Sequence, residues 1–198
     1  MSSPSSTSQR VVVLGSSFAG MTAALELRKQ LDHRHEVLVL DPRDHFTFIP
    51  SLIWLPFGIR KAEDITFPLA PLYERKGVEF RSEAAGGVDV GAHTVTTGGG
   101  EVIEYDKLLV ATGPRLAFEK VPGLGPDSGF TQSVCNLEHA EAAGEAWERF
   151  LQNPGPVVVG TAQGGSCFGA SYEFLFNVHH RIRKAGLEKQ APVTFISA

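Results

Sequence analysis

The sequence predicts an α/β protein built from two βαβ units, and three observations predict it. Val11, Val12, Val13, Leu14 and Gly15 form a short, continuously apolar run, the pattern of a strand buried on both faces of a parallel sheet. The run leads into "GSSFAGMTAALELRKQL", where Phe18, Met21, Ala24, Leu25 and Leu31 fall near helical spacing, and a second apolar run, "EVLVLD", follows. The same order recurs from "PVVVG" through a helical stretch to "VTFIS".

Composition narrows the chemistry. With 198 residues and 42% hydrophobic content the chain is large enough for an ordinary core, as one domain or two. A net charge of -4 and an isoelectric point near 6.0 give no basic footprint for nucleic acid, which favours small-molecule chemistry. The polar start "MSSPSSTSQR" reads as a flexible tail over residues 1–9, without the apolar stretch of a signal peptide. "FTFIPSLIWLPFGI" is too short to span a bilayer and carries Pro50 and Pro56, so no transmembrane helix is expected. These features predict a cytoplasmic protein, or one peripheral on the cell membrane. Two cysteines make no disulfide framework, and no cysteine or histidine pair has zinc-ligand spacing, so no metal is expected.

The remaining elements follow in order. The stretch from 42 to 76 holds five prolines and loosens the pattern. "GVEF" and "HTVTTGGGEVIEYDKLLVATG" then alternate as strands about a hairpin turn at 98–100, an inserted β-meander. Asn136 is placed to cap a helix whose Leu137, Ala140, Ala143, Trp147 and Phe150 share one face. A last helix is predicted from about 166 to 184, with Gly186 as its stop. The organisation is a tail (1–9), a first lobe (10–115) and a second lobe (116–198) that lacks a covering helix after its last strand.

The first turn carries the clearest chemistry. Gly15, Ser17 and Gly20 occupy the positions of a G-x-G-x-x-G pattern with serine for the middle glycine. The first position allows the tight turn, the second the approach of backbone to a pyrophosphate, and the third the packing of helix on strand. The N–H groups that open the helix, around Phe18 and Ala19, face that phosphate. Asp41 closes the second strand about 20 residues further on, where an acid accepts ribose hydroxyls. This Rossmann-like lobe is expected to bind a dinucleotide. In the second lobe Gly160, Ala162 and Gly165 fill the same three positions, and Cys167 falls in the first turn of the next helix, where the helix dipole favours a reactive thiolate over a buried apolar cysteine.

"YDKLLVATGPR" at 105–115 resembles the second flavin contact of two-dinucleotide-domain flavoproteins, which implies FAD in the first lobe. The segments "FTFIPSLIWLPFGIR", "ATGPRLAFEKVPG", "GFTQSVCNLEHAE" and "GTAQGGSCFGASYEF" resemble, in order, those of sulfide:quinone oxidoreductases. The resemblance implies FAD contacts at Gly15, Ser17, Phe18, Ala19, Gly20, Asp41, Pro42, Arg43, Ala111, Thr112, Gly113 and Pro114. It implies that Cys167 is the redox cysteine beside the flavin, that Cys135 is the family's additional cysteine, and that Glu173 and His139 handle protons. Glu173 also reads as a solvated helix residue, and His139, near a helix start, as a neutral hydrogen-bonding group. Sulfide and quinone are the implied substrates: hydrosulfide opens a disulfide to a persulfide, and the electrons pass through FAD to quinone. Members of the family are about twice this length. The missing half is expected to hold the partner cysteine of Cys167, the quinone pocket and the peripheral membrane contact, so this N-terminal part is expected to be inactive alone, its oligomeric state open. The competing readings are a type II NADH:quinone oxidoreductase, a flavocytochrome c sulfide dehydrogenase-like protein, and a non-catalytic FAD-binding or persulfide-carrying module.

Overall fold

The structure, a computed structural model, describes residues 7–165 and 167–197. In chain order the elements are β1 (Arg10–Leu14), α1 (Phe18–Gln30), β2 (Glu36–Leu40), β3 (His45–Thr47), a 3-10 helix (Ile49–Phe57), α2 (Ala62–Ile65), β4 (Thr66–Pro68), α3 (Leu69–Lys76) and β5 (Glu79–Arg81). There follow β6 (Ala85–Asp89), β7 (Thr94–Thr97), β8 (Val102–Glu104), β9 (Lys107–Val110), a short 3-10 turn (Phe118–Lys120), α4 (Leu137–Gln152), β10 (Val157–Thr161), α5 (Phe168–Lys184) and β11 (Val193–Ser197). The α/β class and both βαβ units are as the sequence predicts.

Two compact units form. One holds the chain up to Thr47 together with Phe67–Arg115; the other holds Phe48–Thr66 and Leu116–Ala198. The sequence reading kept 10–115 together, whereas the proline-broken segment 48–66 packs with the later residues. Of the expected tail, residues 1–6 lie outside the described residues. Its described end is tied down, with Ser8 Oγ donating to the Arg34 carbonyl and Gln9 N–H to His35 Nδ1.

In the first unit the parallel sheet runs β5-β2-β1-β9. Alternation along β1 and β2 sends two sets of side chains to opposite faces. Val13, Val37 and Val39 meet Ala24, Leu69 and Tyr73 beneath α1 and α3. Val12, Leu14, Leu38 and Leu40 meet Val95 and Ile103 of the antiparallel meander β6-β7-β8. Each of these aliphatic side chains contributes about 1.5–3 kcal/mol by leaving water. The predicted hairpin at 98–100 joins β7 to β8, with Gly100 at φ +89°.

The second unit is built around the parallel pair β10–β11. Phe57, Val159, Val178, Ile182 and Ala191 form its core, with Trp147, Phe150 and Phe174 packed against it. The Phe57 ring stands edge-on to Trp147 at 5.2 Å and lies 5.4 Å from Phe174. The 3-10 form of 49–57 suits its prolines: Pro50 sits in its first turn and needs no N–H partner, Pro56 lies near its end, and Gly58 stops it at φ +63°. Asn136 caps α4, its side chain accepting from His139 N–H, and Ala140 and Ala143 are buried on the predicted face. Among the described residues no helix is long and apolar enough to cross a membrane.

The end of α1 depends on one buried cation. Arg28 donates to the carbonyls of Leu31, Asp32 and His35 at 2.9, 2.6 and 2.6 Å, closing the turn that delivers the chain into β2. A lysine has no planar fork with which to reach three carbonyls. Arg28→Lys is expected to lower the unfolding free energy by about 1–3 kcal/mol in urea titration. A variant as stable as wild type would show that the carbonyls are satisfied without it.

Candidate functional site

Two constellations hold the predicted site residues, one in each unit. The first is the β1–α1 turn. Gly15 has φ +95°, and a Cβ there would lie 2.3 Å from the Ala111 carbonyl oxygen, while one on Gly20 would lie 1.9 Å from that of Gly15. Both positions therefore exclude every side chain. The turn is stitched to its neighbours by Gly15 N–H to Leu40 O at 2.8 Å and Ala111 N–H to Leu14 O at 2.7 Å. Since β1 lies between β2 and β9, the glycine turn and the Ala111–Pro114 segment meet at the carboxyl ends of the strands where strand order reverses. Ligands of open α/β sheets bind at such a switch point.

At the mouth of this crevice Ser17 is the N-cap of α1 but makes no side-chain capping bond. The Ser17 side chain thus does not compete with an anion for the N–H groups of the helix start. Phe18, Ala19, Thr112, Gly113 and Pro114 are exposed, and Phe18 rests edge-on against Phe46 at 5.1 Å. A cradle that admits no Cβ, an uncapped helix start and a small-residue strip beside it fit the pyrophosphate of FAD, with Gly15, Ser17, Phe18, Ala19, Gly20 and Ala111–Pro114 the residues able to hold it.

Asp41 behaves differently from the expectation. It is 1% exposed. Its Oδ2 accepts from Ser16 N–H at 2.6 Å and Arg43 Nη2 at 2.8 Å, its Oδ1 from Arg43 N–H and Nε, both at 2.9 Å. These four bonds use the lone-pair sites of a carboxylate. A ribose hydroxyl reaches Asp41 only once the Arg43 guanidinium moves aside, so Arg43 and the exposed Pro42 form the outer surface there. Burial pushes the Asp41 pKa up, but the Arg43 guanidinium and N–H and the Ser16 N–H outweigh it and hold the carboxyl below its ordinary value. Sequence reasoning missed two members of this cluster: Ser16, an unspecified position of the motif, and Tyr73, whose hydroxyl lies 2.7 Å from Ser16 Oγ.

The second constellation lies in the second unit. Cys167 is exposed and is the N-cap of α5, with φ -99° and ψ 62°, outside the first turn where the spacing put it. Ser166, the predicted helix start, lies outside the described residues. The two glycine turns also differ. α1 begins directly after Ser17 with Gly20 inside it, whereas Gly160 extends β10, the positive φ falls at Gly164, and Gly165 precedes the helix. The spacing Gly160-Ala162-Gly165 matches the motif in sequence without reproducing the first turn's shape.

Glu173 is not merely solvated: its Oε1 accepts from Trp54 Nε1 at 3.1 Å. Trp54 in turn carries the Arg60 guanidinium over its ring at 5.6 Å. Cys135 is exposed, just before the Asn136 cap. His139 lies in the first turn of α4, its Nε2 3.6 Å from Asp127 Oδ2 and its buried Nδ1 without a partner. Cys135 and His139 thus flank one helix start, and Cys167 and Glu173 belong to the other. Among the described residues no hydrogen bond or disulfide joins the two pairs.

The profile of the pyridine nucleotide-disulphide oxidoreductase family matches residues 9–170. The sulfide-quinone reductase of Aquifex aeolicus is 40% identical over 190 residues, 96% of this chain and 43% of that protein. The mitochondrial sulfide:quinone oxidoreductase of Dictyostelium discoideum is 23% identical over 96% of this chain and 42% of its own length. The crystal structure of the Aquifex aeolicus sulfide:quinone oxidoreductase superposes with a TM-score of 0.89 over 96% of this chain and 43% of that one, at 39% identity. An NDH2 from Plasmodium falciparum shares the fold at a TM-score of 0.70 and 18% identity, covering 96% of this chain and 41% of its own. This chain spans less than half the length of each.

A carboxyl held below its ordinary value stabilises the fold above the carboxylate range, and that stability is lost as the pH falls through its lowered value. Asp41→Asn is expected to be less stable than wild type at neutral pH, with the gap narrowing in acid. Urea midpoints of both proteins across that range provide the measurement, and a gap independent of pH would contradict the ion pair.

Proposed function

The chain belongs to the pyridine nucleotide-disulphide oxidoreductase family, and from that premise we propose that it is the N-terminal part of an FAD-dependent sulfide:quinone oxidoreductase. The observation that carries the proposal is the agreement in sequence and backbone with the Aquifex aeolicus enzyme along 96% of this chain. The first unit holds the cofactor. Gly15 and Gly20, the start of α1 and Ala111–Pro114 would hold its pyrophosphate. When bound, FAD supplies two-electron redox chemistry.

In this reading Cys167 is the sulfur nucleophile. Its thiol stands at the exposed start of α5 with no capping bond to break before it reacts. Sulfur exchange needs an accessible thiolate and a partner sulfur, and the partner belongs to the part of the relatives that this chain does not cover. Cys135 assists from the start of α4. Glu173, which accepts from Trp54 Nε1, and His139, 3.6 Å from Asp127, are the proton-handling groups. Quinone binding and peripheral membrane contact fall to the uncovered part as well.

In the full-length protein loaded with FAD, anaerobic sulfide is expected to bleach the flavin absorbance, and Cys167→Ser to slow this on the order of 100-fold or more. Bleaching by NADH in place of sulfide would favour a type II NADH:quinone oxidoreductase. A flavin that neither reductant bleaches would leave a binding module.

A further inference from the structure

The glycine turn is fastened by a residue outside the dinucleotide motif. Tyr73, on α3, is fully buried, its ring stacked on Phe80 at 5.3 Å, and its hydroxyl lies 2.7 Å from Ser16 Oγ, itself 2% exposed. Ser16 is therefore held twice: by its side chain from α3 and by its N–H from Asp41 at the end of β2. Its N–H is spent on Asp41 and is not a phosphate donor. What the double hold does is fix the peptide that immediately precedes Ser17 and the first turn of α1.

We propose that Tyr73 is a positioning residue for the flavin, acting through Ser16 to hold the β1–α1 turn in the conformation that receives the pyrophosphate. This rests on the reading of that turn as the FAD site. The two hydroxyls satisfy each other out of water, so deleting one strands the other, and a stranded buried hydroxyl must recruit a new partner by shifting the turn. Deleting both leaves nothing stranded. A residue that merely filled the core would act through its ring, which Tyr73→Phe retains.

Tyr73→Phe and Ser16→Ala are each expected to raise the FAD dissociation constant about five- to tenfold, measured by flavin fluorescence quenching. In the flavin-free proteins, amide hydrogen exchange is expected to accelerate at residues 15–20 more than along β1 and β2. The double variant is expected to bind FAD no more weakly than either single. Unchanged affinity and unchanged turn exchange in Tyr73→Phe overturn the proposal, as do single effects that simply add in the double variant. If Tyr73→Phe fails to fold, Ser16→Ala tests the same bond from its other end. Wild-type protein that takes up no FAD overturns instead the reading of the turn as a flavin site, and the exchange data then still decide whether Tyr73 fixes it.

Discussion

The first unit depends on a contact between backbones that only glycine allows. Gly20 packs its α-carbon onto the carbonyl of Gly15, and Gly15 turns against the carbonyl of Ala111. Because neither residue carries a side chain, α1 can start directly at the end of β1, and β9 can lie close enough to bond Ala111 N–H to Leu14 O. The crevice at the strand ends, the uncapped helix start and the exposed strip after β9 all follow from that approach. Around it the polar groups are tightly accounted for: Ser16, Asp41, Arg43 and Tyr73 satisfy one another, which is the condition for a buried polar cluster to specify one conformation rather than destabilise all of them.

The second unit solves a different problem. Among the described residues its sheet is the pair β10–β11, too small to organise a core alone. Phe57, at the end of the proline-bearing 3-10 helix, supplies an aromatic wedge against Trp147 of α4 and Phe174 of α5, and Trp54 on the same 3-10 helix bonds Glu173, the neighbour of Phe174. Two consecutive residues of α5 are thus gripped by one short segment, one by packing and one by a hydrogen bond. The helix that begins at Cys167 is located by this grip as much as by its own sheet.

Much of this was legible in the sequence, because strand runs, helix periodicity and the Asn136 cap are local patterns that the physics reads directly. The glycine turn was legible for the same reason: its steric demand falls on residues within one short stretch. What could not be read was set by distance along the chain. Nothing in the local pattern says that Asp41 spends its lone pairs on Ser16 and Arg43, or that a tyrosine 57 residues from Ser16 completes the cluster. The second turn misled because composition matches where conformation does not. Gly160 continues a strand, and the helix waits until after Cys167, so Cys167 stands at the N-cap position, its thiol making no capping bond, instead of riding in the first turn.

The interleaving of the two units carries a consequence for how the chain comes into being. Residues 48–66 leave the ribosome between the two pieces of the first unit, yet their packing partners lie at 116–198. During synthesis the segment holding Leu52, Ile53 and Phe57, all buried in the finished protein, emerges long before anything exists to cover it. The prolines then take on a second meaning. A stretch so apolar would be prone to pairing as a strand with its like, and Pro50 and Pro56 withhold the N–H groups that such pairing needs. The same two residues that shape the 3-10 helix in the native state thereby guard the nascent chain while it waits.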